Sequence, residues 1–278
     1  MQSKTKALVI GGGVVGVSAL YHLAKKGVEA ALIERKELTS GSTWHAAGLL
    51  PLFNMSYSVG KLHQYSVAFY QQLERESGLS VGFRQVSNIR LACTEDRMDE
   101  YRYYAGVGHT VGVQINFLSP AQVGEIWPLC NTDGLIGAIQ HPEDGYIQPG
   151  DLTTAMARAA RHLGAQIHRH TSVTKIEPLG GRGRVGENGW RVTTDQGDIE
   201  CEHVVACSGN FARATGAMVG LDIPVIPVEH QYLVTEPHPA ILERKKKGLP
   251  EQGVLRESDA AYYLREEAGG MILGIYEK

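Results

Sequence analysis

Three glycines, Gly11, Gly13 and Gly16, stand at the spacing Gly-x-Gly-x-x-Gly, and an acid, Glu34, follows about 20 residues on. Residues of these types in this order suit a dinucleotide. Gly11 permits a tight turn, Gly13 lets backbone approach a pyrophosphate, and Gly16 lets a helix close on a strand. Val14 and Val15 open that helix, whose unpaired N–H groups and positive dipole end face the phosphates. Glu34, with Arg35 behind it, would accept hydrogen bonds from ribose hydroxyls, each worth roughly 1.5–3 kcal/mol because the acceptor is charged. An acid here also disfavours a 2′-phosphate, which argues against NADP. FAD and NAD share the fingerprint, and the motif alone does not choose between them. A structural turn with a solvated glutamate is the plain alternative.

The motif needs a strand before it and a helix after it, and the sequence supplies both. Residues 6–10 read as a buried parallel strand, 14–26 as a helix stopped at Gly27, and Ala30–Ile33 as a second buried strand ended by Glu34. Residues 35–55 read as a loop, and 57–77 as a helix closed by Gly78. Strands are predicted at Asn88–Ala92, Leu135–Ile139, Gln166–His170, Val173–Pro178, Trp190–Thr194 and Glu202–Cys207. Helical stretches fall near Glu95–Ala105 and Pro120–Trp127, and a helix capped by Asp151 runs to Leu163. Asp144-Gly145 reads as a turn, 180–189 as a turn-rich connection, and Gly209 and Gly216 flank a short helix. Strands return at Pro224–Val228, Gln231–Thr235, Ala260–Arg265 and Met271–Ile275. The fold class is therefore α/β: a Rossmann-like nucleotide-binding domain (1–80 and 145–222) interleaved with a mostly antiparallel substrate domain (81–144 and 223–278). The chain ends directly on a strand and reads as a fragment.

The loop after the second strand decides the cofactor. Gly41-Ser42-Thr43-Trp44-His45-Ala46-Ala47-Gly48 offers small residues that let backbone lie against a flat ring, and hydroxyls that reach phosphate or ribityl oxygens. This stretch resembles the dimethylglycine and sarcosine dehydrogenases, within the D-amino-acid-oxidase-like flavoproteins. The likeness extends over nearly the whole chain. It includes His141–Pro149 (with Gln148 where an aspartate is common), Glu202–Gly209, Pro227–Val234, Tyr262–Glu266 and Gly274–Glu277. The resemblance implies FAD, bonded covalently through His45 to the flavin 8α-methyl carbon. Ser42, Thr43, Ala47, Gly48, Leu49, Ser208 and Gly209 are implied as further cofactor contacts, and Val173 as the backbone partner of adenine. Read without the resemblance, His45 is a polar loop residue and Val173 an ordinary strand residue.

The resemblance also implies a substrate, an N-methylated glycine or related amine, and two catalytic residues, His230 and Tyr263. Such an amine is a cation in water, with a pKa of about 10, and losing a hydride from its N-methyl carbon requires the nitrogen lone pair. His230 would take the proton and Tyr263 would position the amine or carboxylate. A strand histidine satisfied by its neighbours is the alternative for His230. The resemblance allows a tetrahydrofolate-dependent step only through a further domain that family members often carry and this chain lacks, and the sequence does not identify the electron acceptor. A noncatalytic regulatory relative, an oxidase of another N-methyl amino acid, and an NAD-linked dehydrogenase remain the competing readings.

Composition excludes other classes. The 278 residues carry a net charge of −3, which gives no general attraction to nucleic acid or anionic lipid. The basic run Arg244–Lys247 is short and reads as a solvated loop or helix end. Cys93, Cys130, Cys201 and Cys207 lack metal or disulfide spacing, as expected of thiols in a reducing compartment. His168 and His170 share a strand face but have no third ligand, so no metal is expected. No leader or apolar span is visible, and the sequence reads as soluble and cytoplasmic.

Overall fold

A computed structural model describes residues 3–51, 56–180 and 185–276. Along the chain come β1 (Lys4–Ile10), α1 (Val14–Lys25), β2 (Ala30–Ile33), β3 (Leu49–Leu50), α2 (Tyr57–Ser77), β4 (Arg84–Gln85), β5 (Asn88–Ala92) and α3 (Glu95–Val111). There follow β6 (Asn116–Leu118), α4 (Pro120–Ile126), β7 (Gly137–His141), β8 (Gly145–Tyr146), α5 (Pro149–His162), β9 (Gln166–His168), β10 (Val173–Pro178) and β11 (Trp190–Thr194). The last are β12 (Gly197–Ala206), a 3-10 turn (Gly209–Phe211), α6 (Ala212–Ala217), β13 (Tyr232–Val234), α7 (Pro239–Lys246), β14 (Val254–Glu257), β15 (Tyr262–Glu267) and β16 (Gly270–Ile275). Residues 52–55, 181–184 and 277, on which parts of the loop, connection and final-strand expectations fall, lie outside the described residues.

The chain divides into two units. The first comprises Met1–Ala46, Gln72–Gly82 and Gln148–Val228. Its sheet has the order β10-β11-β12-β1-β2-β9, with β12, β1, β2 and β9 parallel. Parallel strands are covered on both faces, which is why Leu8, Val9, Leu32 and Ile33 are almost wholly buried. Leu8, Ile10, Ala31 and Ile33 pack with Ile176, Val192 and Ile199. On the helical side α1 packs on α5, whose buried Leu152, Ala155, Met156, Ala159 and Ala160 recur at helical spacing.

The end of α2 is pinned to α1 in this unit by a buried phenol. The Tyr21 hydroxyl donates to the Glu76 carboxylate, and Lys25 Nζ lies 2.9 Å from Glu76 Oε1. The Tyr21 hydrogen bond, helped by Lys25, holds the Glu76 carboxyl below its ordinary range, while Lys25 is pushed up to about 12 by its hydrogen bonds to Tyr21 and Glu76. A depressed carboxylate contributes stability above its ordinary pKa, and that stability is lost as pH falls through the folded value. The expected result is a urea midpoint that drops from about pH 5 to about pH 3 in the parent and drops less in Glu76→Gln. Equal slopes in both proteins would remove this role from Glu76.

The second unit comprises Ala47–Gln71, Phe83–Ile147 and Glu229–Lys278. Its main sheet has the order β13-β16-β15-β14-β5-β7-β6 and is antiparallel except for the pair β14 and β5. One face carries Ala92 and Ile139 under Met98, Tyr101 and Tyr104 of α3. The other carries Ile89, Leu91, Ala138 and Leu255 under Trp127, whose Nε1 donates to the Gly253 carbonyl at 2.8 Å. A small ribbon, β3-β8-β4, completes the unit.

Several expectations shift. Residues 47–71 group with the second unit, because Leu49 and Leu50 pair with β8, and Lys61 and Gln64 donate to the Val111 carbonyl. The return to the first unit falls at Gln148, after β8, and the departure follows Val228. Pro224–Val228 joins no ladder: Pro224 and Pro227 lack the N–H a strand donates, and Ile226 and Val228 stay exposed. The fifth helix starts at Pro149 with Gln148 as its cap residue, so Asp151 sits inside the first turn, where it complements the dipole. Asp144 and Gly145 do not form the turn; residues 142–143 do, and Gly145 begins β8. The third helix runs on to Val111 and stops at Gly112 in the left-handed region. β14 and α7 are additions, the latter taking in the basic run as its last turn.

Candidate functional site

In the first unit the glycine turn is built by close approach. Gly11 has φ +113, its N–H donates to the Ile33 carbonyl at 2.9 Å, and a side chain on it would run into the Cys207 carbonyl. A Cβ on Gly16 would overlap the Gly11 carbonyl. Gly13, the residue before α1, is different. It makes no side-chain cap, and among the described residues the one atom near its missing Cβ is Thr43 Oγ1, at 3.0 Å. Val14 N–H donates to that hydroxyl at 3.0 Å, and Val15 beside it is exposed. The loop from Thr39 is fastened to the turn a second time, through Thr39 N–H to the Gly12 carbonyl at 3.0 Å. Gly12, an unassigned position of the motif, is itself confined: a Cβ there would press on Leu38 and on the Glu34 side chain.

Glu34 is anchored by backbone. Its Oε2 accepts Gly12 N–H at 2.7 Å and its Oε1 accepts Lys36 N–H at 2.8 Å, so the carboxylate is fixed beside the turn with further lone pairs to offer. Arg35 turns its guanidinium onto the Phe211 ring at 3.8 Å, a contact absent from the expected set. Ser208 accepts from Thr215 Oγ1 at 2.8 Å, and Gly209 takes φ +53 with open space around it. Val173 packs on the core with its backbone paired to Thr194. Ser42 is exposed. His45 is exposed too, with its ring 4.3 Å from Trp44 and Nδ1 2.9 Å from the Gly41 carbonyl. A carbonyl only accepts, so Nδ1 carries the proton and the lone pair of neutral His45 sits on Nε2.

In the second unit Ala47, Gly48 and Leu49 are held by hydrogen bonds. The Ala47 carbonyl accepts from Arg265 Nε at 2.9 Å, the Gly48 carbonyl accepts from Ile147 N–H at 2.8 Å, and Leu49 pairs with Tyr146. Arg265 is 2% exposed, stacks on Tyr146 at 4.3 Å and pairs with Glu267 at 2.6 Å. A buried guanidinium needs such partners. Arg265→Met is expected to cost at least about 2 kcal/mol, since the backbone carbonyls of Ala47 and Glu266 lose a charged donor; chemical denaturation measures it, and an unchanged midpoint would refute it.

His230 and Tyr263 are brought together, by a residue outside the expected set. The His230 ring stacks on Tyr276 with centroids 5.6 Å apart, and Tyr263 meets the same ring at 5.5 Å. Tyr263 stands opposite Gly274, whose missing side chain is the space its ring fills. Burial pushes the Tyr263 phenol above its ordinary value, so at neutral pH it is a donor. His230 lies in an exposed segment without regular structure just before β13, not in the strand. The two other histidines considered, His168 and His170, share no strand face. β9 ends at His168, and His170 has φ 53 and bonds Glu37 at 2.8 Å. Among the described residues no group of three or more metal-ligating side chains occurs, and no helix is long and apolar enough to cross a membrane.

A parallel sheet whose first βα turn is a glycine cradle, with an acid on the next strand, is the architecture of a dinucleotide-binding protein. The chain belongs to the family of FAD dependent oxidoreductases, whose profile it matches over residues 6–278. It is 40% identical over 277 residues to mitochondrial dimethylglycine dehydrogenase of Rattus norvegicus, covering 99% of this chain and 31% of that protein. It is 34% identical over 281 residues to the mitochondrial pyruvate dehydrogenase phosphatase regulatory subunit of Mus musculus, covering 100% of this chain and 31% of that one. Among solved structures, the L-proline dehydrogenase of P. horikoshii superposes with a TM-score of 0.85 at 27% identity, over 100% of this chain and 71% of that one. The chain thus spans about a third of the length of these two curated relatives.

Proposed function

We propose that this chain forms the FAD-binding part of an enzyme that oxidises an N-methylated amino acid, dimethylglycine or sarcosine being the reference substrates. The observation that carries the proposal is the loop Gly41–Gly48. Its Thr43 hydroxyl lies on the first N–H of α1, and its His45 keeps the Nε2 lone pair free of hydrogen bonds to described residues. The similarity to dimethylglycine dehydrogenase supports the substrate class.

The residues present fit FAD. Thr43 already accepts from Val14 N–H and has its own proton to donate to a phosphate oxygen, and Gly13 leaves backbone accessible beside it. Glu34 would take ribose hydroxyls, and the exposed Nε2 of His45 would tether the ring system through its 8α carbon. Bound FAD supplies the acceptor for the two electrons and one proton that leave the substrate carbon as hydride. His230 takes the ammonium proton so that the nitrogen lone pair is available, and Tyr263, a donor at neutral pH, holds the amine or carboxylate. The iminium left on the substrate is hydrolysed by water to the demethylated amine and an aldehyde. Glu34→Ala is expected to weaken FAD binding about 10- to 100-fold, the worth of a charge-assisted hydrogen bond. Flavin titration of His45→Ala apoprotein, which cannot form the covalent bond, with and without Glu34→Ala measures this, and an unchanged dissociation constant would discard the ribose role.

The test of the proposal is anaerobic addition of dimethylglycine or sarcosine to the full-length protein. The visible flavin absorbance is expected to bleach. Persistence of the oxidised spectrum with every N-methyl amino acid tried would overturn the enzymatic reading in favour of a noncatalytic one, which the similarity to a phosphatase regulatory subunit supports.

A further inference from the structure

The edge of the first unit's sheet beyond β2 carries a polar cleft that the dinucleotide cradle does not use. β9 is the outermost strand there, separated by β2 from β1 and its glycine turn. The cleft has a volume of about 490 Å³. It is lined by Arg161 from the last turn of α5, by Ile167, His168, Arg169 and Thr171 in and just after β9, and by Gln196 from the turn between β11 and β12. All of these residues belong to the first unit.

The donors of this cleft are largely unspent. Arg191 of the same unit meets Glu200 and Lys25 meets Glu76, but among the described residues Arg161 has no acid within ion-pair distance and no hydrogen bond for its guanidinium. Arg169 gives Nη1 to Glu37, which also takes His170 Nε2 at 2.8 Å. One carboxylate thus faces two groups, and Arg169 keeps Nε and Nη2 to donate. The other acid at the rim, Asp195, is engaged by Ser172 N–H at 2.8 Å. The Gln196 amide is bonded to no described residue. His168 is half-buried, and its Nε2 is shut from solvent without a partner. Burial holds this imidazole below its ordinary pKa, so at neutral pH it offers an N–H rather than a charge. A buried nitrogen left unpaired is costly, and an oxyanion on the cleft wall would supply the missing acceptor.

Two guanidiniums, an imidazole and an amide therefore reach one cleft from three separate elements. A carboxylate is served by two parallel donors in its own plane, whereas a phosphate accepts from all sides. The cleft is far larger than a phosphate ion and falls within the roughly 300–1,000 Å³ of small-molecule sites, and Ile167 gives it an apolar wall. We infer that this cleft binds a phosphate group carried on a small organic molecule, a second ligand distinct from the dinucleotide. Arg161 and Arg169 hold the charge, His168 and Gln196 donate to the remaining oxygens, and the organic body lies against Ile167. The assignment is independent of the amine oxidised.

The test is calorimetric titration of the full-length flavoprotein, its dinucleotide site filled, with ribose 5-phosphate, inorganic phosphate, ribose and acetate. Ribose 5-phosphate is expected to bind most tightly and inorganic phosphate more weakly, with no measurable heat from ribose or acetate. Arg161→Gln is expected to weaken ribose 5-phosphate about 10- to 100-fold while flavin content and spectrum stay unchanged. Arg161→Lys should recover part of the affinity, and Arg169→Gln should give the smaller loss. Arg161 is exposed, so its replacement leaves the fold intact; melting temperatures verify this for each variant. Absence of binding by both phosphates, or unchanged affinity in Arg161→Gln and Arg169→Gln, would overturn the inference. Acetate bound as tightly as phosphate would overturn the choice of phosphate, and equal affinity for ribose 5-phosphate and inorganic phosphate would remove the organic body.

Discussion

Gly16→Ala is expected to abolish flavin retention and to destabilise the first unit by about 3 kcal/mol. The added methyl would fall on the Gly11 carbonyl, which is backbone in a turn already confined by the Cys207 carbonyl and by the Gly11 N–H bond to Ile33. Nothing there is a flexible side-chain end able to swing aside. The helix must therefore lift from the strand, carrying Val14 N–H away from Thr43. Gly41→Ala is the control: no atom of the described residues lies within 4 Å of its missing Cβ, and a change within about 0.5 kcal/mol is expected. Flavin absorbance per protein and thermal melting read both variants. A yellow, stable Gly16→Ala protein would show that helix and strand do not pack as described.

Gly274→Val is expected to leave flavin content unchanged and to reduce the rate of flavin reduction by about 100-fold or more. A side chain at 274 would occupy the place of the Tyr263 phenol, both its ring and its hydroxyl. The ring would have to leave its position opposite β16 and lose its contact with Tyr276. The variant thus removes Tyr263 from its site without altering the residue. Tyr263→Phe provides the comparison, because it keeps the ring in place and removes only the hydroxyl. A parental rate in folded Gly274→Val would discard Tyr263 as a catalytic residue, whatever the effect of the phenylalanine.

The parts legible in the sequence are those determined by local physics. The run Ala30–Ile33 is bounded as β2, because four apolar residues between Glu29 and Glu34 are too few for a helix and suit a buried strand. The helix Tyr57–Ser77 ends where Gly78 provides φ +65. Pro224–Val228 misleads for the converse reason: its short apolar run is that of a strand, but its prolines withhold the donors. β14 hides because Val254-Leu255-Arg256-Glu257 is short and half charged, and it becomes a strand only by pairing with β5 and β15.

The candidate site divides in the same way. Gly11, Gly13, Gly16 and Glu34 are adjacent along the chain or joined by one βαβ crossover, so spacing alone assembles them. Thr43 was legible as a hydroxyl in a loop, but not as the acceptor for Val14 N–H, which depends on the loop folding back over the turn. Arg256 and Arg90 come from β14 and β5, and Tyr276 follows the end of β16; only the register of a seven-stranded sheet brings them to Tyr263. Their individual signals are weak: a tyrosine two residues after a glycine, one arginine inside an apolar run, and one in a short, half-charged segment.

Acid precipitation of the purified full-length protein tests the central claim most directly, that the glycine cradle and the 41–48 loop hold FAD with His45 as its tether. Neutral His45 with Nδ1 bonded to Gly41 presents Nε2 as the attaching atom. The account expects yellow colour in the washed pellet of the parent protein, and a colourless pellet with flavin released to the supernatant from His45→Ala. Flavin released quantitatively from the parent protein would contradict the account.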